Sequence, residues 1–194
     1  MTRTLKRVGV YCGSSDAVDP KYLDAAREMG RLLAGSGTGV VFGGGRIGLM
    51  GAVADSALAA GGEVIGVMPA SLYDREIAHQ GLTELLVVDG MHSRKMIMHT
   101  MSDAFIGLPG GWGTMDELFE VLTWNQIGFH SKAVALLNVD GYFNKLLDFF
   151  DHMVAERFVR AEHRVMMASS DDPARLLEML RTMEPRPKTP SSIR

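Results

Sequence analysis

Asp103-Ala104-Phe105-Ile106-Gly107-Leu108-Pro109-Gly110-Gly111-Trp112-Gly113-Thr114-Met115-Asp116-Glu117-Leu118-Phe119-Glu120-Val121-Leu122-Thr123-Trp124 reads as a strand, a glycine turn and a helix in direct succession. The first six residues form a short buried run, and from Met115 onwards the apolar spacing is helical. At such a turn glycine lets the backbone bend without a Cβ clash. The free N–H groups can then face an anion, and the positive end of the helix dipole adds to the attraction. Three glycines alone are a weak signal. Glu117 sharpens it, because it lies one turn into the helix on the same side as Gly113 and Thr114. A phosphate binder has no electrostatic reason to place an acid there unless the acid works on another part of the ligand: a sugar hydroxyl, a water or a developing cation. Position alone leaves a second reading open, in which Glu117 merely favours the helix N-terminus by a few tenths up to about 1 kcal/mol.

Outward from this unit the alternation continues. Strand-like runs at Arg7–Cys12, Gly39–Phe42, Glu63–Met68, Glu84–Val88, Ala104–Leu108 and Ala133–Asn138 alternate with helix-like segments at Pro20–Ala34, Ile47–Ala60, Ser93–Met101, Met115–Ile127, Tyr142–Glu156 and Pro173–Met183. Regular alternation predicts an α/β fold, a doubly wound, Rossmann-like parallel sheet with helices on both faces. Ligands of such sheets bind beyond the carboxyl ends of the strands, which is where the glycine turns fall. Residues 1–183 are expected to form one domain. Residues 184–194 carry three prolines and almost no apolar side chains, and are expected to be a mobile tail.

Composition agrees with one globular enzyme domain. A chain of 194 residues with 46% hydrophobic content can bury a sizeable core, and a net charge of −3 gives no general attraction to nucleic acid or anionic membrane. The single cysteine, Cys12, excludes an internal disulfide and reads as a small buried residue rather than a nucleophile. No apolar segment is long enough to span a bilayer, and Met1–Lys6 leads straight into a strand rather than a signal peptide, so a cytoplasmic location is the expectation.

A second glycine turn, Gly43-Gly44-Gly45-Arg46-Ile47-Gly48, also satisfies GxGxxG between a strand and a helix, which raises NAD or FAD as a rival ligand. A dinucleotide site wants an acid near the end of the next strand to hold a ribose, but that strand ends in Met68-Pro69, and Glu63 stands at its other edge. A third candidate lies at Arg94 and Lys95, which open the helix after Asp89-Gly90-Met91-His92. On a random helix two such cations are solvated and idle. Beside a glycine turn and Glu117 they are candidates to hold phosphate, Arg94 as a fixed fork and Lys95 as a point charge.

Taken together these segments resemble the Lonely Guy family, the cytokinin riboside 5′-monophosphate phosphoribohydrolases. Pro109–Glu117 is similar to the family's PGGxGTxxE signature, Gly43–Gly51 to its GGGxxGLMG turn and Met91–Lys95 to its MHxRK segment, while Val8–Ser15 resembles its first strand and loop. The resemblance runs from about Lys6 to at least Asp151. Ser93 and Trp112 stand at positions where the motifs vary. The resemblance implies that Arg94 and Glu117 are catalytic. It further implies that Gly44, Gly45, Glu76, Met91, Lys95, Gly111, Trp112, Gly113, Thr114, Met115, Asp116 and Thr123 line the substrate site. Without it, Glu76 reads as a loop charge and Thr123 as a helix-surface residue.

The implied reaction is hydrolysis of a nucleoside 5′-monophosphate, AMP or its N6-prenylated form, to free base and ribose 5-phosphate. Breaking C1′–N9 puts positive charge on the ribose, which a nearby carboxylate stabilises, and Glu117 is the natural candidate. Whether it orients ribose hydroxyls or activates water, and whether Arg94 holds phosphate or ribose or assists the leaving base, are left open. No cofactor and no metal are expected. The six histidines form no HExxH pattern, Ser14-Ser15 lacks the flanks of a GxSxG elbow, and neither glycine turn carries the GKS or GKT of a P-loop. Chains of this kind have carried a lysine decarboxylase label, but neither Lys95 nor Lys132 has the context of a Schiff-base lysine. The expected partners are the nucleotide substrate and, by resemblance, a second copy in a homodimer with sites near the interface. No nucleic acid and no membrane are expected. A non-catalytic nucleotide sensor remains the alternative, and it would have no need of Glu117.

Overall fold

Seven parallel strands run through the computed structural model, which describes residues 3–73 and 78–183. They are β1 (Arg7–Tyr11), β2 (Gly39–Phe42), β3 (Val64–Pro69), β4 (Glu84–Val88), β5 (Ala104–Gly107), β6 (Ala133–Leu137) and β7 (Met167–Ser170). Between and after them lie α1 (Pro20–Gly35), α2 (Gly48–Ala59), α3 (Ala70–Tyr73), α4 (Met91–Met101), α5 (Trp112–Gln126), α6 (Asn144–Ala155), α7 (Ala161–Arg164) and α8 (Pro173–Thr182). The order across the sheet is β4-β3-β2-β1-β5-β6-β7. The chain therefore walks outward from β1 to β4, returns to β5 beside β1, and walks outward again to β7. That reversal opens a crevice beyond the carboxyl ends of β1 and β5, the place where doubly wound sheets bind ligands.

Alternation along each strand sends side chains to two separate cores. Val8, Val10, Val40, Phe42, Ala104, Ile106, Ala135 and Leu137 pack against α1, α2 and α8. Tyr11, Val41, Ile65, Val67, Phe105, Val134 and Leu136 face the other way, against α4, α5 and α6. Helices on both faces are thus a consequence of inner strands, β2, β3, β5 and β6, that are buried at every position. On α5 the buried residues are Thr114, Glu117, Leu118, Val121 and Asn125. One acid is built into an otherwise inward-facing helical stripe.

Two expectations are corrected. A seventh strand exists, because Met167-Ala168-Ser169-Ser170 pairs with β6 from the sheet edge, where one ladder partner suffices and no long apolar run is required. The helices α4 and α5 begin earlier than their apolar spacing suggests, at Met91 and Trp112, since hydrogen bonding starts a turn before burial does. Gly113 and Thr114 therefore belong to the first turn of α5 rather than to the loop. Glu76 and the expected tail at residues 184–194 lie outside the described residues. No helix among the described residues is long and apolar enough to cross a membrane.

Candidate active site

Every helix that follows a strand here points its N-terminus at the crevice edge of the sheet, yet they end differently. Asp19 and Asp172 cap α1 and α8 with their carboxylates, each followed by proline. In α2 the Gly48 N–H already donates to Asp16 at 2.7 Å. At the start of α4, Asp89 accepts from Ser93 and the Gly90 backbone, which holds its carboxyl below the usual range. Helix α5 has Gly111 as its N-cap, no side-chain cap and no acid in its first turn. A Cβ placed on Gly111 or Gly113 would meet nothing within 4 Å. The first-turn amides of α5 thus stand open with the helix dipole behind them.

The turn that presents them is tightly built. The Gly13 N–H donates to the Pro109 carbonyl at 3.0 Å, and the Gly13 carbonyl accepts from Leu49 and Met50, so the loops after β1, β2 and β5 converge. Gly110 is obligatory, since a Cβ there would fall 2.1 Å from Thr114 Oγ1 and 2.7 Å from the Gly13 nitrogen. In the second glycine turn, the Gly44 carbonyl accepts from the His79 N–H at 2.9 Å, and Gly45 bridges to Ala78.

Across the crevice Arg94 reaches from α4 towards Glu117 on α5. Arg94 Nη1 lies 3.0 Å from Glu117 Oε1, and the two side chains are only 13% and 9% exposed. The guanidinium also donates through Nε to the Val67 carbonyl at 3.1 Å and through Nη1 to Met91 Sδ at 3.3 Å. It lies directly over Gly43, where a Cβ would fall 1.9 Å from Nη2. Burial raises the Glu117 carboxyl to about 7, and Arg94 opposes that rise without cancelling it. A group poised there can hold or release a proton near neutrality. Behind the pair, the Tyr11 hydroxyl is pushed well up, first by burial and then by the Glu117 charge.

Lys95, one residue on, is held differently. Its Nζ lies 3.2 Å from Asp116 and 3.1 Å from Glu120, so it ties α4 to α5 beside the Arg94–Glu117 pair. Burial alone would lower its ammonium, and the hydrogen bonds it donates to Glu120 and Asp116 reverse that into a rise. The site therefore has three adjacent cross-helix ion contacts, one within the crevice and two bracing it.

Comparison with known proteins gives this arrangement relatives. A family described as "Possible lysine decarboxylase" matches residues 50–180. A probable cytokinin riboside 5′-monophosphate phosphoribohydrolase of Oryza sativa subsp. japonica is 46% identical over 181 residues, which cover 93% of this chain and 72% of that protein. A cytokinin riboside 5′-monophosphate phosphoribohydrolase of Arabidopsis thaliana is 44% identical over 180 residues, 93% of this chain and 79% of that one. The chain belongs to the cytokinin riboside 5′-monophosphate phosphoribohydrolase family. A solved structure of a molybdenum cofactor binding protein from Rippkaea orientalis shares the fold, with a TM-score of 0.71 at 24% identity over 93% of this chain and 98% of the other.

Of the residues expected from the phosphoribohydrolase resemblance, Met91, Arg94, Lys95, Asp116 and Glu117 come together with the glycine turns. Trp112 stands at the mouth and is 92% exposed, while Met115 is half-buried against the core below. Thr123 does not join them. It lines a separate apolar pocket with Phe119, Leu122, Phe150 and Met153, on a different side of α5 from Glu117. The decarboxylase description fits poorly with the two lysines considered for it. Lys95 is bound by two carboxylates, and Lys132, just before β6 at the far edge of the sheet, donates to the His99 carbonyl at 2.5 Å. Cys12 is buried and its thiol pushed up by that burial, which suits packing rather than attack. Sequence reasoning missed Gly43 as the floor under Arg94, and Glu120 as the second anchor of Lys95. The signal for Glu120 was there, since Asp116 and Glu120 stand i, i+4 on one helix and repel unless a cation lies between them.

Proposed function

We propose that this protein hydrolyses the N-glycosidic bond of adenosine 5′-monophosphates, AMP or a cytokinin riboside 5′-monophosphate, releasing the free base and ribose 5-phosphate. The observation that carries the reading is the buried Arg94–Glu117 pair set beside the uncapped N-terminus of α5. The backbone of Gly111, Gly113 and Thr114 holds the 5′-phosphate, with Gly44 and Gly45 lining the opposite side. Phosphate binding then positions C1′ near Glu117. As C1′–N9 breaks, its electron pair leaves with the base and cationic character grows on the ribose, which the ionised carboxylate stabilises. Water oxygen bonds to C1′, Glu117 takes a proton from that water, and the departing base takes up a proton. Arg94 favours the ionised form of that carboxylate and holds it in place.

A homodimer completes the reading. Phe119, Ile127 and Phe129 are exposed apolar side chains on and just after α5. Thr123, turned away from Glu117 in its own chain, is suited to serve a partner's pocket. The test is incubation with AMP and with isopentenyladenosine 5′-monophosphate, following base and ribose 5-phosphate by chromatography, with Glu117→Ala and the unphosphorylated nucleosides as controls. Release from the monophosphates alone, lost in the variant, supports the reading, and the rate ratio gives the preferred base. Nucleotides that bind yet stay intact would replace it with the sensor alternative.

A further inference from the structure

Tyr142 belongs to none of the sequence motifs, yet it touches the phosphate turn. Its hydroxyl donates to the Gly110 carbonyl at 2.7 Å. That carbonyl shares a peptide unit with the N–H of Gly111, the N-cap of α5. In a trans peptide the C=O and N–H point in opposite directions, so fixing one fixes the other. With Tyr142 holding the carbonyl, the Gly111 N–H is turned to the opposite side of the peptide, the side not occupied by the tyrosine.

The segment that carries Tyr142 is itself secured. Between β6 and α6 the chain makes a short 3-10 turn, Val139–Gly141, in which Asp140 adopts a left-handed φ of 49°. The Asp140 carboxylate is paired with Lys21 of α1. The Phe143 N–H donates to the Asn138 side chain at 2.7 Å, the Asn138 amide donates to Asn144 at 2.8 Å, and the Phe143 ring is buried. The Tyr142 ring sits edge-on to Tyr22 at 5.6 Å and to Phe143 at 4.9 Å. A left-handed aspartate persists where its surroundings over-determine it. Gly110 is closely flanked by Thr114 and Gly13, which leave no room there for a side chain.

We infer that Tyr142 is a positioning residue for the 5′-phosphate, its hydroxyl setting the Gly110–Gly111 peptide so that the N-cap amide of α5 is aimed at the anion. The inference rests on the placement of phosphate under the proposed function. A tyrosine kept only for packing would need its ring against Tyr22 and Phe143, and phenylalanine would serve equally well there.

Tyr142→Phe, which removes one oxygen from a half-exposed side chain, separates the two roles. The expected result is a KM for AMP and a Kd for ribose 5-phosphate that both rise, by roughly three- to tenfold, the loss typical of one hydrogen bond. The kcat stays within about twofold, because the contact is made equally in ground and transition states. Affinity is measured by titration calorimetry on protein whose circular dichroism matches the wild type, so a shift in melting temperature does not enter the comparison. Equal KM and Kd in variant and wild type would overturn the inference alone, as would a fall in kcat with both affinities unchanged. A wild type that binds neither AMP nor ribose 5-phosphate would overturn both the inference and the functional reading beneath it.

Discussion

Arg94 Nη1 contacts Glu117 Oε1 at 3.0 Å inside the crevice, and still the Glu117 carboxyl is raised to about 7. Desolvation outweighs the ion pair, so near neutral pH the pair exists in two protonation states. The ionised form is the one that can stabilise a ribosyl cation or take a proton from water. Below 7 the carboxyl is protonated and neutral, and above 7 it is a carboxylate. The kcat/KM for AMP is therefore expected to rise with pH through an apparent pKa of about 7. In Arg94→Ala the cation that opposes burial is gone, so any residual activity should show that limb at higher pH. A limb near the ordinary carboxylate range in either protein would remove Glu117 as the titrating group.

Glu117→Gln keeps the size of the side chain and removes both its charge and its basicity. A loss of about 10²–10⁴ in kcat is the expected scale for removing a positioned acid–base group. The affinity for ribose 5-phosphate should change little, because the proposed phosphate contacts lie on the backbone of the turn. Rapid-quench product analysis for kcat and calorimetry for Kd check the two halves. Retention of wild-type turnover would move the chemistry to another group.

The glycines separate fold from function. At Gly43 an added Cβ would lie 1.9 Å from Arg94 Nη2, the far end of a flexible side chain. Gly43→Ala should therefore fold with a near-native melting temperature and yet lose activity on the scale of Arg94→Ala, since the guanidinium must vacate its place. Gly113 is the converse. Its Cβ direction is open, and alanine is favoured over glycine in a helix by about 1 kcal/mol. Gly113→Ala should thus melt at or above the wild type while its KM for AMP rises, because the new methyl crowds the amide proposed to face phosphate. A Gly113→Ala protein with unchanged KM would place the phosphate elsewhere.

How much of this was legible beforehand follows the range of the forces involved. Alternation of apolar strands with amphipathic helices is local, and it read out as a doubly wound sheet with six of the seven strands. The edge strand Met167–Ser170 carried no apolar run to see. The spacing from the glycine turn to Glu117 is one helical turn, hence visible in sequence, and so was the pairing of motifs that placed Arg94 with it. What Lys95 does is set by Asp116 and Glu120, 21 and 25 positions away on another helix, and no periodicity encodes that distance. Tyr142 reaches Gly110 across 32 positions through a single hydroxyl. Tertiary hydrogen bonds of that kind leave no pattern in one sequence.

The same burial that tunes Glu117 also shapes stability against pH, with two histidines acting in the opposite sense. His130 accepts the Lys132 N–H on Nδ1 at 3.0 Å, and its Nε2 lies 3.0 Å from the Val121 carbonyl, so the neutral ring satisfies both partners. His99 packs among Phe105, Trp124 and Phe129 with its Nε2 buried and unpartnered. Burial, helped by the nearby Lys132 charge, lowers both rings from 6.5 to about 4. Below 6.5 the unfolded chain binds protons that the folded chain refuses, so their contribution is complete above 6.5 and is lost as pH falls towards 4. Glu117, raised from 4.5 to about 7, works the other way: folded protein holds its proton where unfolded chain has released it, and stability declines as pH rises from 4.5 to 7. Each group contributes up to about 1.4 kcal/mol per pH unit within its window. Two histidines against one glutamate leave a net rise of about that size per unit between pH 4.5 and 6.5. Denaturant melts across that interval should show stability climbing to a maximum near 6.5. In His130→Gln one histidine faces one glutamate, and the climb should flatten. A wild-type curve that instead falls from pH 4.5 to 6.5 would mean that these rings titrate freely in the folded protein and only Glu117 is left to act.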